Sequence, residues 1–378
     1  MAEPSTALKR VTKLTIRFLV DNNLEWMTKL PPGFTHELHQ HIPHSRHTTG
    51  DKGGVPVLDF NDFCCGAHGF AALIETELDE PSGDGNPSNK ASQKQLYRTL
   101  FDTGPDALSL VRNIRALQVP ITTIDRVVTS HWHSDHTGGL ISFLDLRKKH
   151  AVKPCIVNVH PSRPHLRGIA PPPHNNHVLC TLPPDPTFEA IEAAGGVLEK
   201  RKDGHAVAGN TVWVSGEVPR VTEWEGGLLG GVRWVEAGEE GWKSEPHLMD
   251  ERYAVVDVEG KGLVVFSSCS HAGIVNVAKD AVKTFKRPIY MIVGGLHLAS
   301  ADLYPRIEPT VSFFSKSLRP SPTYILPMHC TGWKAKLALE SALGEGIVPT
   351  GVGHKVEVGG IKEQGEPGRS TLWVQVVD

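Results

Sequence analysis

Short apolar runs separated by turn residues mark the chain from end to end. Residues 14–20 alternate apolar and polar positions well enough to predict a first strand, closed by Asp21-Asn22-Asn23. Residues 69–76 and 95–101 predict two more, the second ending in Asp102-Thr103-Gly104. Leu108, Val111, Ile114 and Leu117 recur at three-residue steps behind Pro105, so 105–118 predicts an amphipathic helix. A β-branched run at 124–129 predicts a buried strand, 140–149 a helix and 154–160 the next strand. This alternation implies an α/β architecture. Strands follow at 211–214, 253–258 and 263–266, the last two joined by a Glu259-Gly260-Lys261-Gly262 turn as a hairpin. Further strands are predicted at 289–293 and 324–326, a helix at 333–343, and strand-like pieces from 355 to 377 that close the sheet.

Three stretches interrupt the pattern. Residues 31–57 are rich in His, Pro and Gly and read as an irregular excursion, a candidate flap, with a second metal site among His36, His39, His41, His44 and His47 as a minor reading. Residues 78–94 read as an exposed turn or insertion. Residues 161–187 carry eight prolines, which exclude regular structure over much of the segment. They read as a substrate lid or a surface insertion, with His165, His174 and His177 scattered through it.

Composition narrows the choice. The chain has 378 residues, an apolar share of 39% and a net charge of −3. One large domain over 1–378 is the expected organisation, with no electrostatic case for nucleic acid or an anionic membrane. No apolar run has membrane-spanning length and the start lacks an apolar signal region, so a cytoplasmic protein with a small-molecule substrate is expected. Six cysteines in so long a chain do not make a disulfide framework.

The candidate chemistry sits between the 124–129 strand and the 140–149 helix, in Ser130-His131-Trp132-His133-Ser134-Asp135-His136-Thr137-Gly138-Gly139. In an extended segment His131 and His133 point the same way and hold one metal ion together. Asp135 and His136, a turn later, face a second beside it. Three later strands each lead to a histidine: His271, His297 and His329.

The H-x-H-x-D-H run followed by Thr-Gly-Gly resembles the metal motif of the metallo-β-lactamase superfamily, which implies a four-layer αβ/βα sandwich with a metal site at the edge of its two sheets. The set Gly216-Glu217-Val218-Pro219-Arg220, Cys269 to Asn276, Gly294 to Leu298 and His329 to Gly332 is similar to one branch of it, the relatives of dihydropterin–ribofuranosylaminobenzene phosphate synthase. The resemblance runs from about Thr15 to Gly332. It implies His131, His133 and His271 on one metal and Asp135, His136 and His329 on the other, with Asp102 bracing the metal loop. His297 faces substrate or moves a proton. His247 stands as a fallback to His271. Cys269 occupies a position where many members carry Asp, and is read as a small buried support or a thiolate ligand. Arg220 is a candidate partner for an anionic substrate group or a surface ion pair.

The implied activity is a binuclear metal-dependent hydrolase using two divalent ions, Zn2+ first and Mn2+ or Fe as alternatives, that activate hydroxide against an ester, lactone or phosphoester. Asp135 ligates and orients, and His297 donates to the oxyanion. A synthase-type transferase related to pterin chemistry and a di-iron oxidoreductase are the competing classes on the same ligands. The motifs select no substrate and no oligomeric state.

Overall fold

The computed structural model describes residues 8–42, 58–81, 92–150, 153–172, 175, 177–236, 238, 240–362 and 373–377. Two large sheets stack face to face. The eight-stranded one runs Gly196–Lys200, Cys155–Val159, Arg126–Val128, Ser92–Phe101, Ala71–Pro81, Lys13–Val20, Lys355–Gly359, Phe34–Thr35. The seven-stranded one runs His205–Val207, Val212–Val214, Ala254–Val258, Gly262–Ser267, Ile289–Gly295, Tyr324–Met328, with Arg10–Val11 paired to Ala254–Val258. Alternate residues of facing strands fill the space between them. Leu14, Ile16 and Phe18 meet Val256, Val264 and Phe266 in one fully buried cluster.

Each sheet turns its other face to helices. Leu73, Leu100, Val127 and Val157 pack under Ser109–Ala116 and Leu140–Lys148 through Leu110, Ile114, Leu140 and Phe143. Val255, Val265 and Ile292 pack under Ile274–Phe285 and Trp333–Leu343 through Val275, Ala278, Ala335 and Leu339. The result is the four-layer αβ/βα sandwich, a metallo-β-lactamase fold. No helix among the described residues is long and apolar enough to cross a membrane.

The hydrophobic pattern misplaces the insertions. The 78–94 segment largely continues a hairpin whose arms pair from Ala72↔Phe101 to Pro81↔Ser92; residues 82–91 lie outside the described residues. Of the 31–57 excursion, residues 31–42 are tied to the sheet edge by Phe34↔Val356 and line no part of the cleft, and residues 43–57 lie outside the described residues. His44, His47 and His174 lie outside the described residues. The 161–187 segment is not irregular throughout. Its strands Leu166–Ile169 and Cys180–Thr181 join Gly231–Val235 and Gly241–Ser244 in a separate four-stranded sheet. Register explains why the pattern was missed: a strand of a few residues, covered on one face only, carries almost no periodicity. The 105–118 helix starts late, at Ser109, because the Asp106 carboxylate accepts from the Ser109 backbone N–H at 2.8 Å and sets its first turn.

Parallel pairing decides where chemistry collects. Gly262–Ser267, Ile289–Gly295 and Tyr324–Met328 run side by side in register (Ser267↔Gly294, Gly295↔Met328), and Ser92–Phe101 ends beside Arg126–Val128. Their carboxyl ends therefore open onto one edge.

Candidate metal centre

The backbone at that edge is held in sparsely populated conformations. Asp102, Ser270, His297 and His329 all have positive φ, at 60°, 60°, 50° and 43°. Left-handed backbone at non-glycine residues persists only where surroundings over-determine it, and hydrogen bonds do so at Asp102, Ser270 and His329. The Thr-Gly-Gly of the metal motif has a packing reason as well. A Cβ on Gly138 would lie 2.1 Å from the Pro105 carbonyl oxygen, and one on Gly139 2.1 Å from that of Thr103. The metal loop thus seats directly on the backbone after Asp102.

Two groups of donor atoms result. His131, His133 and His271 form one; Asp135, His136, Cys269 and His329 form the other, each group with its ligand atoms within 4.8 Å of one another. In the first, His131 Nε2 lies 3.0 Å from His133 Nδ1 and 3.2 Å from His271 Nε2. Two nitrogens on a tetrahedral zinc sit about 3.3 Å apart, given Zn–N bonds near ~2.05 Å. The spacing fits one shared ion. Burial first, then repulsion from neighbouring imidazoles, holds all three histidines well below the ordinary histidine pKa, so they are neutral with lone pairs to offer.

The outer ring nitrogens fix the tautomers. His131 Nδ1–H donates to Ser130 Oγ at 2.8 Å, whose hydroxyl donates to Asp102 Oδ2 at 2.7 Å, leaving His131 Nε2 free. His136 Nδ1–H donates to the same Asp102 oxygen at 2.9 Å, leaving Nε2 3.1 Å from Cys269 Sγ and 3.4 Å from Asp135 Oδ2. Asp102 also accepts from the Ser130 N–H at 2.6 Å and from Ser268 Oγ, so one fully buried carboxylate braces the whole loop. His329 Nδ1 faces Asn22 Oδ1 at 3.3 Å, and Nε2 lies 3.2 Å from Asp135 Oδ2.

Charge in the second group favours a cation. Burial opposes an imidazolium at His136, but Asp135 and Asp102 on either side outweigh it and push the pKa well up. Burial likewise would raise the Asp135 carboxyl, and His136 more than offsets it, holding Asp135 well below the carboxylate range. The field that favours a proton on His136 favours a metal ion at the same place.

His297 lies on the cleft wall, its ring 4.4 Å from that of His271, and neither ring nitrogen has a hydrogen-bond partner among the described residues. It is in neither donor group. His247 is exposed and in neither group, so it does not stand in for His271. Arg220 sits 3.5 Å from Glu217 and lines no part of the cleft. Cys269, read chiefly as a buried support, brings its sulfur into the second donor group.

Sequence reasoning missed the supports. Asp21 accepts from the His329 N–H at 2.8 Å. Glu251 accepts from the backbone N–H groups of His271 and Ala272 at 2.7 and 2.6 Å. The signal for Asp21 was present: a strand ending in Asp-Asn-Asn repeats the arrangement of the strand ending at Asp102. Glu251 had none, since it acts through space from an unpatterned turn.

A cavity of about 480 Å³ opens over the donors, roofed by the four-stranded sheet. Ile169, Leu182, Leu228, Val232 and Leu248 form its apolar wall. Arg167 is the one Arg or Lys among the described lining residues, and its guanidinium is committed to Glu245 (2.8 Å) and Asp250 (2.6 Å) and to the Trp132 carbonyl oxygen (2.5 Å).

The family model of the metallo-β-lactamase superfamily matches residues 97–236. A Methanocaldococcus jannaschii protein named 7,8-dihydropterin-6-methyl-4-(beta-D-ribofuranosyl)-aminobenzene-5'-phosphate synthase is 28% identical over 272 residues, covering 71% of this chain and 82% of its own length. An uncharacterized protein of the same organism is 27% identical over 274 residues, covering 71% and 85%. The solved structure of Tm1679, described as a metal-dependent hydrolase of the β-lactamase superfamily, covers 92% of this chain and 99% of its own at a TM-score of 0.59 and 20% identity.

Proposed function

We propose that this chain, with its metallo-β-lactamase fold and matching family segment, is a metal-dependent hydrolase of an ester or lactone carrying an apolar group. Two divalent ions, zinc by preference, are held by His131, His133 and His271 and by Asp135, His136 and His329, with Cys269 as an added sulfur donor. The observation that carries this reading is the convergence of three buried, neutral imidazoles, with nitrogens at 3.0 and 3.2 Å and the outer nitrogen of His131 held by Ser130.

Ions bound there supply Lewis acidity toward water and toward a substrate oxygen. The chain supplies the rest. Asp102, through Ser130 and directly through His136 Nδ1, fixes the ring orientation and tautomer of the two histidines so that Nε2 of each is aimed at the site. Asp135, 3.2 Å from His329 and 3.4 Å from His136, anchors the negative side of the site and orients the attacking group. His297 has free ring nitrogens on the cleft wall and donates a hydrogen bond or proton to the oxygen on which charge develops. The apolar roof excludes bulk water and seats the substrate's hydrophobic part.

The roof also separates this reading from that of the named relative, whose product carries a phosphate. A phosphate seated on the cleft wall, away from the ions, calls for an uncommitted cation, and Arg167 already faces two carboxylates. The test is a parallel screen of the purified metal-loaded protein on apolar acyl esters, lactones and phosphodiesters. Turnover of esters or lactones that is lost with His133→Ala is expected. Turnover confined to phosphodiesters would overturn the substrate class, and no hydrolysis of any of them the reaction type.

A further inference from the structure

A second set of metal-ligand side chains lies outside the cleft, at the edge of the eight-stranded sheet. The Gly351-Val352-Gly353 turn delivers His354 to the start of strand Lys355–Gly359, and this strand pairs with Phe34–Thr35 through Val356↔Phe34. The chain leaves that short strand through His36 into the helix Glu37–His41. His36 and Glu37 are thereby pressed against His354. The approach is close: a Cβ on Gly353, whose φ is +88°, would sit 2.3 Å from Glu37 Cβ.

His36, Glu37 and His354 each offer one ligand atom, and the three atoms lie within 4.8 Å of one another. Glu37 is 0% exposed and His354 1%. Neither Glu37 carboxylate oxygen accepts a hydrogen bond from any described residue. One of them lies 2.9 Å from His354 Nε2, but that nitrogen makes its hydrogen bond to the Glu25 carbonyl oxygen. The bond places the ring proton on Nε2 and leaves Nδ1 with its lone pair, buried and unpartnered, as is His36 Nδ1. A ring nitrogen that donates to a backbone carbonyl while the other keeps a free lone pair is the arrangement metal-binding histidines use. A fully buried carboxylate without a donor, beside two buried acceptor nitrogens, is an unfavourable grouping of negative poles unless a cation sits among them.

We propose that His36, Glu37 and His354 form a separate structural site for one divalent transition-metal ion, which clamps the 34–41 segment to the sheet edge. Two imidazoles and one carboxylate select zinc or a neighbouring ion over calcium or magnesium. The clamp backs the cleft at one remove, because Val352 N–H donates to Asn23 O at 2.9 Å and Asn22 contacts His329.

The experiment counts zinc on the full chain carrying His131→Ala and His329→Ala, which takes one donor from each cleft group and leaves this site intact. The protein is stripped with chelator, reloaded with zinc, desalted and measured by plasma mass spectrometry, with circular dichroism to confirm folding. About one equivalent of zinc and a zinc-dependent rise in Tm are expected, and Glu37→Gln on this background should lower both to below about a tenth. His36→Gln, at a half-buried position, carries the same expectation should Glu37→Gln fail to fold. A folded cleft variant that holds no zinc overturns the proposal. So does full zinc retention in Glu37→Gln or His36→Gln, which would reduce the cluster to a Glu37–His354 ion pair.

Discussion

The floor and the roof of the cleft are built in different ways. On the floor, donors stand at the ends of adjacent strands, and buried partners lock their outer atoms: Asp102 behind Ser130 and His136, Asp21 behind the His329 backbone. The roof is a four-stranded sheet assembled from stretches some sixty residues apart, apolar where it faces the cavity. One buried guanidinium, Arg167, ties the two together by reaching the Trp132 carbonyl in the metal loop and Asp250, which itself accepts from the Trp132 N–H at 2.7 Å. For the proposed hydrolase, the difference means that reaction type and substrate choice would be set by separable parts, the chemistry by rigid strand ends and the selectivity by a short accessory sheet.

Substitutions can break that division. The largest effect belongs to the floor. His133→Ala should lower kcat/KM on an ester or lactone by about 10³-fold or more, with circular dichroism unchanged. Activity within tenfold of the parent would mean the floor is not where the reaction occurs. Next comes the tie. Arg167→Met leaves Glu245 and Asp250 facing each other without their cation, and should cost roughly 3–5 kcal/mol in thermal or urea unfolding. A change below about 1 kcal/mol would show the roof stands without it.

A smaller effect sharpens the comparison. Leu228→Ala on the apolar wall should raise KM for a long acyl chain by up to about tenfold, while kcat on an acetyl ester and the metal content stay unchanged. Loss of metal in this variant would show that roof and floor are one unit.

The smallest concerns Asp185, which accepts a hydrogen bond from Thr137 just behind the metal loop and whose carboxyl is raised by burial to about 6. Its folded pKa lies above its ordinary value, so the fold favours the neutral form. That stability is present in full below about pH 4 and is lost as the pH rises through about 6. Asp185→Asn should flatten this decline and stabilise the protein at pH 8 by at most roughly 3 kcal/mol. A parallel decline in parent and variant, followed by Tm against pH, would assign it to other groups.

The same division explains what the chain disclosed to a reader of its sequence. Floor residues lie in local motifs, so His131 to His136 and the strand-ending His271 and His329 stood out by spacing and by the apolar runs before them. Asp102 stood out for the same reason. The roof did not, because Leu166–Ile169 and Gly231–Val235 are brief, flanked by proline and glycine, and gain their stability from pairing with each other rather than from any repeat of their own. Arg167 and Glu251 were invisible because each acts on a residue remote in sequence. The His36–Glu37–His354 cluster was half visible. The histidines of its first stretch were conspicuous, but their partner lies at the other end of the chain, brought there by one antiparallel strand pair.

The most direct measurement is the metal content of the full chain against its His131→Ala, His329→Ala variant, both purified without added metal and counted by plasma mass spectrometry. Each substitution removes a donor from one of the two cleft groups and leaves the His36–Glu37–His354 cluster untouched. A loss of about two equivalents between parent and folded variant is the expected result. Equal metal content in the two proteins would contradict a two-ion centre at this edge of the sandwich.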